Sequence, residues 1–69
     1  MQAEPDLYDA LDELLLELGG DVPAGSIVRW FARSVTELQV AGVDAGLAVA
    51  AQAMTRHRLR LHVPSRIPA

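Results

Sequence analysis

No cysteine occurs in the 69 residues, which excludes disulfide staples, thiolate metal sites and any cysteine nucleophile. Lysine is absent too, so all six basic side chains are arginines. Aromatic residues are scarce: one Trp, one Phe and one Tyr. No uninterrupted apolar run approaches the roughly 18 residues that a membrane-spanning helix needs. The N-terminal stretch is acidic where a secretory signal would be basic, so the chain is expected to be soluble and cytoplasmic, with no membrane contact.

What is present is apolar. Half of the residues (51%) are hydrophobic, too many for a disordered tail. A chain of this size forms one small domain that buries only about 60% of the surface its unfolded form exposes. With no disulfide or thiolate-bound metal to reinforce it, oligomerisation is the expected remedy. The net charge of −3 is unevenly spread. Glu4, Asp6, Asp9, Asp12, Glu13, Glu17 and Asp21 precede most of the arginines, whereas Arg56, Arg58, Arg60 and Arg66 lie in the second half.

The hydrophobic spacing predicts an all-α domain, a small up-down-up three-helix bundle spanning residues 1–69. A first helix is expected over 5–18, where Pro5 suits the first turn, with Asp6 and Asp9 near the positive end. Leu7, Leu11, Leu14 and Leu18 then repeat at helical intervals, and Gly19-Gly20 is expected to end this helix in the left-handed conformation. A second helix is expected over 23–40, capped by Asp21 and stopped by Gly42, with Ile27, Phe31, Ser34 or Val35, and Leu38 inward. A third, over 45–61, takes Asp44 as its N-cap and Leu47, Ala50, Ala51, Met54, Arg58 and Leu61 as one face. Pro64 and Pro68 leave 64–69 as a loose tail. "RLRLHV" at Arg58–Val63 alternates like a strand, but a lone strand has no partner here. The most buried side chains are expected to be Leu11, Leu14, Ile27, Phe31, Leu38, Leu47 and Met54.

Trp30 and Phe31 are adjacent, and a helix turns only one of two such neighbours to the centre of a small core. The wheel puts Phe31 central and Trp30 at one edge of the apolar arc, with Val28 and Val35 at the other. Two readings of Trp30 stand: it closes the bundle core with its indole N–H in water, or it anchors another chain. Leu16, Val49 and Leu59 fall away from the expected stripes of their helices. With Trp30 they form the candidate interface.

Catalytic and metal chemistry has little to stand on. His57 and His62 are five apart, off the four-residue step that aligns two ligands on one helical face. Ser26 or Ser34 with a His and an Asp is a combination found in almost any chain. Gly42-Val43-Asp44-Ala45-Gly46 is a loop-and-cap pattern rather than a phosphate cradle. The reading is therefore non-enzymatic, without cofactor, metal or small-molecule substrate. Arg56, Arg58 and Arg60 give the single basic cluster, which suits a helix C-terminus or an anionic partner. Nucleic acid is disfavoured, because the chain is acidic overall and shows no helix-turn-helix pattern.

From Pro23 to Leu59 the chain resembles the three-helix-bundle dimerisation domain found N-terminal to actinobacterial arsenate-reductase-like, low-molecular-weight tyrosine-phosphatase-like proteins. The resemblance is carried by Ser26-Ile27, Arg29, Trp30-Phe31, Ser34 and Glu37-Leu38 in the second helix. Val43, Leu47, Met54 and Arg56-His57-Arg58-Leu59 carry it in the third. It implies a homodimer or docking to a partner protein, and it excludes the family's Cys-based catalytic domain. Gly42-x-Asp44 and Leu61-x-Val63-Pro64-Ser65 also look like an acyl carrier protein around its attachment site, but Ala45 stands where the attachment serine belongs. The leading expectation is an assembly module. The alternatives are a small regulator binding DNA or an acidic partner through Arg56, Arg58 and Arg60, and a degenerate acyl-carrier-like domain.

Overall fold

The computed structural model describes residues 6–62. Three helices follow one another, α1 (Leu7–Leu18), α2 (Ala24–Val40) and α3 (Leu47–His62), and no strand occurs among the described residues. The alternating stretch from Arg58 to His62 is the last part of α3 rather than a strand. Pro5, Val63 and the expected tail at 64–69 lie outside the described residues.

Each helix end has a local cause. Asp6 caps α1, its carboxylate accepting from the backbone N–H of Tyr8 at 2.6 Å and of Asp9 at 3.1 Å. At the far end neither Gly19 nor Gly20 takes a positive φ, contrary to the sequence expectation. The chain instead makes a right-handed turn in which the N–H groups of Asp21 and Val22 both donate to the Leu18 carbonyl. Glycine suits position 19 because a Cβ there would overlap the Leu15 carbonyl oxygen. Asp21 does not cap α2: the N-cap is Pro23, which makes no side-chain capping bond. Gly42 ends α2 as expected, at φ 91°. The N–H of Val43 reaches the Leu38 carbonyl and that of Gly42 the Gln39 carbonyl, the paired bonds of a Schellman motif. α3 starts at Leu47 instead of 45, because Gly46 sits at φ 72° and breaks the helical run. Asp44 thus stands too far upstream to be the N-cap, and only its carbonyl is used, accepting from Leu47 at 3.3 Å.

The bundle is centred on Ala10, Leu14, Val22, Ile27, Phe31, Ala48, Ala51 and Leu59, all buried. Leu14, Ile27 and Phe31 stand where the leucine and Ile/Phe stripes place them. Leu11, Leu38, Leu47 and Met54 do not: each is only half-buried. The discrepancy in α3 is a rotation by about one residue, near 100°. Ala48, Ala51, Thr55 and Leu59 face inward in place of Leu47, Met54, Arg58 and Leu61. The rotation spares Arg58 a burial that would strip its charge of water, and puts Leu59 in its place. It also brings the small side chains of Ala48, Ala51 and Thr55 inward, and α2 and α3 share the most extensive helix contact in the bundle. Thr55, fully buried, returns its hydroxyl to the Ala51 carbonyl at 2.7 Å.

Candidate protein interface

α3 holds its two neighbours with charged and polar side chains that branch to opposite sides. Towards α1, the Gln52 amide donates to the Ala10 carbonyl at 3.1 Å and to the Glu13 carboxylate at 3.0 Å. One turn further, Arg56 forks onto Glu17, with 2.8 Å from Nε and 2.9 Å from Nη2. Both steps advance four residues in the same direction, so α1 and α3 run parallel and α2 antiparallel between them. Towards α2, Arg58 donates to both oxygens of Glu37, which Arg33 also approaches at 3.5 Å.

These pairs set the local electrostatics. The guanidinium of Arg56 holds the Glu17 carboxyl below the usual carboxylate range, helped by the charge of Arg60. Arg58 does the same for Glu37, with Arg33 adding to it. Each carboxylate in turn raises its arginine above the ordinary guanidinium value. The basic cluster foreseen at Arg56, Arg58 and Arg60 is therefore not one patch. Arg56 points to α1 and Arg58 to α2, each already neutralised, and Arg60 is the exposed member.

The candidate interface residues are separated as well. Leu16 is 87% exposed on the outer side of α1, and Val49 is 58% exposed on α3. The Glu13–Gln52 and Glu17–Arg56 pairs place Val49 level with the start of α1, nearly two turns from the level of Leu16. Leu59 is a correction: at 3% exposure it belongs to the core, a consequence of the rotation of α3. Trp30 is half-buried against the core beside Phe31, with the Arg33 guanidinium carbon 5.6 Å from its ring centroid. Trp30 thus lies on the α3 side of α2, among Arg33, Glu37 and Arg58.

The opposite flank is different. Since Glu13 and Glu17 face α3 from α1, and Glu37 faces α3 from α2, the remaining edges of α1 and α2 meet each other. Tyr8, Leu11 and Leu15 line that flank from α1, and Ala24, Val28, Ala32 and Val35 from α2. Tyr8 is 79% and Val28 42% exposed, Ala24 and Ala32 are exposed, and Leu11, Leu15 and Val35 are half-buried. α1 and α2 also make the least extensive contact of the three helix pairs. The signal in the sequence was the width of the apolar arc of α2, whose Val28–Val35 edge exceeds what a two-sided core contact uses.

Among the described residues no group of three His, Asp or Glu side chains is placed to hold a metal ion. No helix among them is long and apolar enough to cross a membrane. The Gly42–Gly46 segment, where the acyl-carrier likeness falls, is the connection between α2 and α3, with Ala45 in a turn ahead of Leu47. Comparisons with protein-family models, with curated proteins and with solved structures gave no match.

Proposed function

We propose that this chain is a non-enzymatic assembly module that pairs with a second copy of itself in the cytoplasm. One observation carries the reading: large apolar side chains stand in water on all three helices of a very small domain. Tyr8, Leu16, Val40, Val49 and Leu61 are 58–87% exposed. A scattered exposed leucine is ordinary, but a bundle of this size gains from covering part of its exposed apolar surface. The resemblance of Pro23–Leu59 to the dimerisation domain of actinobacterial arsenate-reductase-like proteins supports the same reading. Binding of an anionic partner through Arg56 and Arg58 is less favoured, because it would compete with their forks onto Glu17 and Glu37. Solution mass measured against concentration, at low and high salt, tests the proposal. Association through apolar surface persists at high salt, whereas binding through exposed charges is screened away.

A further inference from the structure

We infer that the second copy covers the flank between α1 and α2, with α1 of each copy lying over α2 of the other. This rests on the assembly reading and gives it a face. The flank is continuous along both helices. On α1, Tyr8, Leu11 and Leu15 follow at steps of three and four; on α2, Ala24, Val28, Ala32 and Val35 do the same. The other two flanks are crossed by ion pairs within one chain, Glu17–Arg56 and Glu37–Arg58. Here the side chains facing out are apolar, and Leu11, Leu15 and Val35 are half-buried already, so a lid of the same character completes their burial.

Charge selects both the occupant and its orientation. A flank without charge along its centre can meet its own image with no like-charge repulsion, even in a chain of net charge −3. A self-complementary contact needs a twofold axis, and two directions are open in the plane of the flank. An axis across the helices would set α1 on α1, bringing Asp9 and Asp12 of one copy towards Asp9 and Asp12 of the other. An axis along the helices sets α1 over α2 of the second copy. The acidic rim of Asp9 and Asp12 then faces the rim of α2 that carries Arg29 and Arg33, all of them exposed. Arg33 already lies over Trp30 and near Glu37, so Arg29 is the cation that meets the acids.

Sedimentation equilibrium of the full chain, from low micromolar to hundreds of micromolar, tests this with five single variants and one double variant. The wild type is expected to dimerise. Val28→Glu should weaken the dimer at least tenfold, about the minimum for a carboxylate placed in a desolvated apolar contact, while circular dichroism shows the helices intact. Should Val28→Glu fail to fold, Ala32→Glu on the exposed part of the same flank carries the measurement. Arg29→Glu and Asp12→Arg should each weaken dimerisation, and together restore it to within about threefold of the wild type. Ala53→Glu, on the exposed side of α3 away from the flank, should leave the dimer unchanged. A monomeric wild type overturns the assembly reading itself. A dimer that survives Val28→Glu and Ala32→Glu overturns the α1/α2 face while leaving assembly intact. A dimer broken by Val28→Glu that the charge exchange does not restore overturns the orientation.

Discussion

The adjacent aromatics of α2 divide their work in a way that substitutions should expose. Phe31 is 5% exposed in the centre of the core, whereas Trp30 is half-buried at its edge with Arg33 against its ring. Phe31→Ala is expected to cost about 3–5 kcal/mol, enough to unfold a domain of this size. Trp30→Ala should cost less, about 1–3 kcal/mol, since one side of the indole is not enclosed by the core. Urea denaturation of both variants checks the order, and an equal or larger loss at Trp30 contradicts it. Ser34 offers a second test. Its side chain is fully buried on α2, and its hydroxyl has no hydrogen-bond partner. Removing an unpaired polar atom relieves a desolvation penalty, so Ser34→Ala should be neutral or stabilising by about 1 kcal/mol. A loss of stability beyond that range in thermal melts would show that the hydroxyl is satisfied in solution.

At the scale of the helices, two interhelical ion pairs give the bundle a defined acid sensitivity. Glu17 and Glu37 are held below the usual carboxylate range by Arg56 and Arg58. Folding therefore favours their ionised forms, and their contribution is complete above the unfolded glutamate value of about 4.3. It is lost as pH falls through the lower folded values. The double variant Glu17→Gln, Glu37→Gln should flatten the stability profile in that acidic window and leave its shape near neutrality unchanged. Denaturant midpoints across pH 2–7, roughly the range in which carboxylates titrate, make the comparison. Helix ends carry a separate expectation: Gly42→Ala should destabilise by about 1 kcal/mol, because the Schellman turn needs its φ of 91°.

The helices themselves were legible because leucines in α1 and the Ile27–Phe31–Leu38 set in α2 repeat at one period, with Gly42 marking a boundary. The facing of α3 was not. In "LAVAAQAM" small apolar residues occupy nearly every position, so the segment has no preferred face of its own. The choice between the Arg58 face and the Leu59 face falls to tertiary partners, Glu37 for the arginine and the core for the leucine. The same cause moved Leu59 from the candidate interface into the core. Asp6 as the cap of α1 was adjacent to the expected signal, displaced by the two-residue difference in where the helix starts.

Considered as one molecule, the bundle is asymmetric in how its flanks are finished. Two are sealed by guanidinium–carboxylate forks and the third shows apolar side chains from Tyr8 to Val35. A net charge of −3 opposes random encounter of copies, and in the proposed dimer the uncharged flank is where they meet. Stability and association should therefore be linked: the melting temperature is expected to rise with protein concentration, as it does for any fold whose native state is selectively bound. The most direct measurement is the solution mass of the unmodified chain from low micromolar to hundreds of micromolar at high salt. A mass that moves from one chain towards two, and still does so at high salt, is the predicted result. A mass of one chain across the whole range would contradict the account.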